Sequence, residues 1–283
     1  MERKPILADT GLLRCSLGPA AAALLSLSAL AGLAGVVLLF DPAYASILRS
    51  QMIDGGITSR SALDTWTAIN TAITVLCFIC PAITSWCLWT SLRGRSARGL
   101  GLLSTAAQWL LYGLHGIAAL ALGYFLIRLT RYILRVLPMN EAAYLLYSML
   151  ISEALMVVLA FLLYRLTVRF LTSAADTAAS IGYTLSSGKL DTLSIPPMTA
   201  LGLTVLGFVN LGLAVSRLFT VTIVQAYSGD YYGLLTAGHP GQYLAAAALL
   251  SGALGNFCLA QWLRRYNRLC EQARFAYSRN LLK

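Results

Sequence analysis

Residues 102–127 have the sequence LLSTAAQWLLYGLHGIAALALGYFLI, a stretch of 26 residues without Asp, Glu, Lys or Arg. Because an α-helix rises ~1.5 Å per residue, this stretch is long enough to span the ~30 Å hydrocarbon core of a bilayer. Five further stretches are also apolar and about twenty residues long or longer, and two of them contain one charged residue each. The six predicted transmembrane segments are 19–40, 66–91, 102–127, 143–164, 198–225 and 243–263. The pattern predicts an all-α integral membrane protein, a bundle of six transmembrane helices.

The composition supports a membrane protein with one domain. Of the 283 residues, 58% are hydrophobic and 11% are charged, whereas soluble domains carry about 25% charged residues. The connections between the segments are short, so residues 1–283 are predicted to form a single membrane domain. The net charge of +10 comes from residues that flank apolar segments. We therefore expect a lipid bilayer and not nucleic acid as the partner.

The distribution of basic residues predicts the topology. With the N-terminus inside, the interior segments carry 15 Lys and Arg residues and the exterior ones carry 5. This bias predicts a multi-pass protein with both termini cytoplasmic. One observation argues against this topology. A basic cluster lies on the predicted outer side and consists of Arg128, Arg131 and Arg135. The short loops and the lack of exterior cysteines favour a bacterial cell (cytoplasmic) membrane.

Two cytoplasmic stretches have helical patterns of their own. Residues 264–283 are predicted to form an amphipathic helix that leaves the membrane, and its Arg264, Arg265 and Arg268 are expected to contact anionic inner-leaflet lipid. The alternative is an ordinary positive-inside anchor. Residues 165–195 are predicted to contain a short amphipathic helix under the bundle.

Glu153 and Arg217 are charged residues inside apolar segments. A charge near the bilayer centre costs at least ~2.5–3.5 kcal/mol on insertion scales, so such residues usually have a partner or a water-filled cavity. Both lie at similar predicted depths, so we expect an ion pair between the fourth and fifth helices. Two roles stay open: a structural pair that fixes helix register, or a proton or cation site at Glu153 whose pKa Arg217 sets.

Polar residues at other positions extend this candidate intramembrane site. His115 lies near the middle of the third segment, where a histidine either relays protons or bonds to a facing Ser or Asn. Asn70, Asn210 and Asn256 are expected to bond across helices or to line a polar path.

Cys77 and Cys80 form a C-x-x-C in the second segment. This motif resembles that of the vitamin K epoxide reductase family and of bacterial disulfide-forming membrane enzymes, which would imply quinone-linked redox chemistry. Those proteins carry a second cysteine pair in an exterior loop, and no predicted exterior loop of this chain contains cysteine. The alternative interpretation, small apolar packing residues, is preferred.

No further motif predicts catalysis. The sequence contains no P-loop, G-x-S-x-G elbow or H-E-x-x-H motif, and its two histidines are far apart. We therefore expect a protein that is not an enzyme, with no catalytic residues, cofactor or metal. The preferred function is a transporter or a permease-like subunit of a transport complex, with other membrane subunits as candidate partners. The alternative is a non-catalytic membrane interaction or assembly protein.

Overall fold

The computed structural model describes residues 16–38, 75, 78–92, 98–136, 143–187, 198–227 and 240–281. The described residues form six helices and no strand. The helices are α1 (Leu17–Leu38), α2 (Phe78–Leu92), α3 (Arg98–Val136), α4 (Ala143–Ser187), α5 (Met198–Tyr227) and α6 (Pro240–Leu281).

Five helices are long and apolar enough to cross a membrane, as predicted from the sequence. They are α1, α3, α4, α5 and α6. For the second predicted segment, 66–91, the structure describes residue 75 and the 15 residues of α2, so most of its first half lies outside the described part. The predicted C-terminal helix is confirmed as a helix, and it continues α6 to Leu281 without a break.

Helix α4 is longer than predicted. The sequence analysis ended the fourth segment at 164 and placed a separate short helix in 165–195, whereas α4 is one helix of 45 residues from Ala143 to Ser187. The charged residues do not end it, because charge alone does not interrupt the backbone hydrogen bonds of a helix and α4 contains no proline. The predicted apolar stripe of this region does pack under the bundle, since Ala178, Ile181 and Leu185 are buried.

Small residues bring α1 and α6 together in an antiparallel pair. A Cβ on Gly255 would lie 3.2 Å from the backbone nitrogen of Leu25, a tight contact that glycine avoids. One turn further along α1, the Ser28 hydroxyl donates to the Ala248 carbonyl at 2.7 Å. Helix α5 packs on another side of α6, where the rings of Phe208 and Phe257 meet edge to face at 5.0 Å.

The main hydrophobic core lies at one end of the bundle, which we call the core end. Here the start of α1, the end of α2, the start of α3, the end of α4, the start of α5 and the second half of α6 converge. The core residues are Ala21, Ala22, Leu25, Leu88, Leu100, Ile181, Leu185, Ala200, Leu259, Trp262, Leu263, Tyr266 and Cys270.

Helices α3 and α4 form an antiparallel pair that is anchored at the core end. Leu100, near the start of α3, and Ile181, near the end of α4, belong to the same core. Towards the opposite end, which we call the far end, no described side chain is buried between residues 108 and 134 of α3 or between 151 and 172 of α4. This pair therefore lies against the other helices at the core end and is exposed along the rest of its length.

Candidate functional site

Glu153 and Arg217 occupy helical positions in α4 and α5, and their side chains lie outside the described part of the structure. Gly202 of α5 lies against the Phe170 ring of α4. Extending this antiparallel register by equal steps places Arg217 about level with Leu155. The two positions therefore match in height, and the ion pair stays a prediction.

Two of the predicted asparagines lie where α1, α5 and α6 meet. A Cβ on Gly252 would lie 2.9 Å from Ser28 Oγ and 3.5 Å from Asn210 Nδ2, so this glycine separates the two polar groups. Asn256 is half-buried, one turn further along α6. Asn70 lies outside the described residues. The structure thus brings Asn210 to the α1–α6 contact, away from His115 on α3.

His115 is exposed on α3. Its Nδ1 donates to the Leu111 carbonyl of the same helix at 2.6 Å, and its ring packs edge to face on Tyr164 of α4 at 5.8 Å between ring centres. Since a carbonyl oxygen can only accept, this bond places a proton on Nδ1. The partner is therefore a carbonyl of its own helix, where the sequence analysis considered a facing Ser or Asn.

A cluster of buried hydroxyl groups joins α4 to α5 and α6 at the core end. We call it the hydroxyl cluster: Ser173, Thr177, Ser180, Thr184, Thr199 and Tyr266. Thr199 of α5 lies 2.6 Å from the Ser173 hydroxyl and 3.0 Å from that of Thr177. The Tyr266 hydroxyl of α6 lies 3.1 Å from Ser180 and 2.8 Å from Thr184. Since its members bond to one another, the cluster holds these three helices in register.

Close to this cluster, Arg264 bonds within the protein. It is half-buried, and its guanidinium donates to the Thr204 hydroxyl of α5 at 3.0 Å. Arg265 and Arg268 are exposed. Of the three arginines expected to contact anionic lipid, Arg264 is thus the one that links α6 to α5, and the lipid contact stays a prediction.

Polar side chains form an exposed surface on one side of the α3–α4 pair. On α3 they recur at three- and four-residue steps and therefore share one helix face, as they do on α4. We call this surface the polar face; it consists of Thr105, Gln108, Tyr112 and His115 on α3 and Arg165, Arg169, Thr172 and Asp176 on α4, all exposed.

The two halves of the polar face lie on the same side of the pair. On α3, Tyr112 follows the half-buried Leu111, and on α4, Arg165 follows the half-buried Tyr164 that touches His115. On each helix, the polar residues therefore lie about 100° around the helix axis from the line along which α3 and α4 touch. The rotation has the same sense along the chain in both helices. Because the two helices are antiparallel, the two polar halves then lie on the same side of the pair.

The polar face extends from the middle height of α3 towards the core end. His115 is 17 residues from Arg98, or about 25 Å along α3, close to the midpoint of the apolar Arg98–Arg131 stretch. Arg165 lies at the height of His115 because its neighbour Tyr164 contacts that ring. The sequence predicts Arg165 and Arg169 in a cytoplasmic connection, whereas in the structure they lie inside the continuous helix α4, beside α3.

The remaining chemical groups give no further site. Among the described residues, no group of three or more His, Cys, Asp or Glu is placed to hold a metal ion. Cys80, Cys87, Cys258 and Cys270 are not in disulfide bonds, and Cys77 lies outside the described residues. The redox interpretation of the C-x-x-C is therefore not tested by the described part of the structure.

Comparison with protein-family models, curated proteins and solved structures finds no match to this chain.

Proposed function

We propose that the chain is a multi-pass protein of the cell membrane and acts as a permease-like subunit of a transport complex, with the polar face lining the transport path. The observation that carries this proposal is the exposure of polar side chains along the apolar span of α3, from its middle height towards the core end: Gln108, Tyr112 and His115 on α3, with Arg165 and Arg169 beside them on α4. Both termini are placed in the cytoplasm, at the core end, because Lys and Arg are concentrated there.

The cost of exposing arginine to lipid supports a path along this face. Each arginine at mid-membrane depth costs at least ~2.5–3.5 kcal/mol if it faces hydrocarbon. Arg165 lies over the Phe161 ring, with its guanidinium carbon 5.9 Å from the ring centre, and a cation–π contact of this kind leaves the charge in place. Among the described side chains neither Arg165 nor Arg169 has an acidic partner. Water or a polar partner along this face removes the cost.

The arrangement of the helices supports the same reading. Helices α1, α5 and α6 form one group, and α3 and α4 form another that meets it through the hydroxyl cluster at the core end. Two helix groups that move against each other are the means by which many transporters alternate access to a site between them. Energy from ATP would have to come from a separate chain, since the sequence contains no Walker motif.

Accessibility to a water-soluble reagent tests the proposal. In a cysteine-free background, Tyr112→Cys places a thiol on the polar face and Ile117→Cys places one on the apolar side of α3. The two parent side chains are almost equally exposed, at 68% and 66%. We expect a charged, membrane-impermeant maleimide added to membranes to label residue 112 at least about tenfold faster than residue 117.

A membrane-permeant maleimide provides the control and should label both positions. Protection of both thiols from the charged reagent on either side of the membrane would contradict a water-filled path along the polar face.

The second candidate, a non-catalytic interaction or assembly protein, has an observation of its own. A Cβ on Gly113, Gly116 or Gly123 of α3 would meet nothing within 4 Å, and small exposed residues let a partner helix approach closely. Full protection of residue 112, together with stable association of a second membrane protein through α3, would favour this function.

A further inference from the structure

The charge of the polar face indicates what it binds, if the proposed function is correct. Arg165 and Arg169 are one turn apart on α4 and both exposed, while Asp176 lies about two turns from Arg169 towards the core end. His115 of α3 lies beside them, since its ring contacts Tyr164. With two arginines and one aspartate, the face therefore carries an excess of positive charge around Arg165 and Arg169.

The other polar groups of this surface complement an anion. The Gln108 amide and the Tyr112 hydroxyl are exposed hydrogen-bond donors on the same face. Arginine binds carboxylate and phosphate oxygens through two parallel N–H groups, which makes it the preferred side chain for such ligands. Space is present, since a Cβ on Gly101 or Gly116 would meet nothing within 4 Å.

A second copy of this chain would not neutralise these arginines. In a twofold assembly whose axis runs along the bundle, the partner presents the same residues at the same height. Arg165 and Arg169 would then face a further pair of arginines, and the space between the copies would become more positive. An anion, and not another protein surface of the same chain, satisfies this arrangement.

We infer that the polar face is an anion-binding site, centred on Arg165 and Arg169 with Gln108 and Tyr112 as neutral donors, and that the subunit conducts or is occupied by phosphate- or carboxylate-type anions. Two sources share this chemistry: a free anion that enters from water and an anionic lipid headgroup that enters from the side. The inference rests on the proposed function for the path, and on charge and geometry for the ligand.

Thermal unfolding in an uncharged detergent tests the site. Inorganic phosphate is titrated at constant ionic strength, with chloride as the balancing anion, and the midpoint of unfolding of the full chain is followed. We expect a saturable rise for the wild type. The doubly substituted R165Q/R169Q protein should need at least about tenfold more phosphate for the same rise.

Two further proteins separate loss of the site from loss of folding. Arg131→Gln removes an exposed arginine on the same helix pair but outside the polar face, and should respond as the wild type does. R165K/R169K keeps both charges and should retain a weakened response, because lysine lacks the paired donors. An equal, saturable rise in R165Q/R169Q and in Arg131→Gln would overturn the proposal.

The two sources are distinguished in lipid nanodiscs. The unfolding midpoints of the wild type and of R165Q/R169Q are compared in discs that contain phosphatidylglycerol and in discs of phosphatidylcholine alone. If phosphatidylglycerol stabilises the wild type more than R165Q/R169Q, and phosphate has no effect in detergent, the ligand is a lipid headgroup. Absence of both effects overturns the anion site. Labelling of residue 112 by the charged maleimide without any anion effect would leave the transport path standing and refute this inference alone.

Discussion

Tyr266 joins the two helix groups through its hydroxyl, and its side chain is fully buried at the core end. The hydroxyl lies within hydrogen-bond distance of both Ser180 and Thr184 of α4. A buried polar group that loses its partner costs about 1–3 kcal/mol. The Tyr266 oxygen therefore contributes to the stability of this junction, beside the bonds of Thr199.

Removing that oxygen gives a prediction at the residue scale. Tyr266→Phe keeps the ring but leaves the Ser180 and Thr184 hydroxyls without this partner, and should lower the free energy of unfolding by about 1–2 kcal/mol. Denaturation in detergent measures the change. Tyr183→Phe, at an exposed tyrosine of α4, is the matched control and should be neutral; equal losses in both proteins would show that the two hydrogen bonds do not stabilise the fold.

At the element scale, the sequence identified the helices well and their register poorly. A charge-free run such as 102–127 determines the position of a helix on its own, because its length and hydropathy are local properties. The charge of Arg165, which is also a local property, predicts that the fourth segment ends before it. In the structure, α4 continues past Arg165, and its polar side chains join Gln108 and Tyr112 of α3. This arrangement depends on which helix lies alongside α4. The sequence of a single segment does not contain that information.

Close helix contacts give a second prediction at this scale. Gly255→Val introduces a side chain against the Leu25 backbone and should destabilise the protein by about 1–3 kcal/mol, since overpacking forces helices apart. Gly212→Val is the control on α5, where a Cβ would meet nothing within 4 Å. The unfolding midpoints of both proteins in detergent provide the measurement. Destabilisation by Gly212→Val to the same extent would point to an effect of helix propensity and not of packing.

At the scale of the whole molecule, the five long helices of the described part form two groups, α1 with α5 and α6 and α3 with α4, that share a packed core at the core end. Buried contacts keep two helices at a fixed distance. The far parts of α3 and α4 are exposed, so the core restrains their position less than it restrains the core end. The anchoring at the core end and the exposure of the far end are both geometric features that an apolar sequence pattern does not reveal.

Distances between spin labels test this difference. One pair joins Val37 of α1 to Leu134 of α3 at the far end, and the other joins Tyr183 of α4 to Glu271 of α6 at the core end; all four are exposed. We expect the distance distribution of the far pair to be broader by on the order of 5 Å in electron–electron resonance measurements. Equally narrow distributions would indicate that the two groups form one rigid body.

The lengths of α3 and α4 have a mechanical consequence. At 39 and 45 residues, the helices are about 58 Å and about 67 Å long, roughly twice the thickness of bilayer hydrocarbon. The core holds these helices at one end. A tilt of about 10° at the core end therefore moves the opposite end of α3 by about 10 Å. A small rearrangement among a few serine and threonine hydroxyls would thus be magnified into a displacement as wide as a helix.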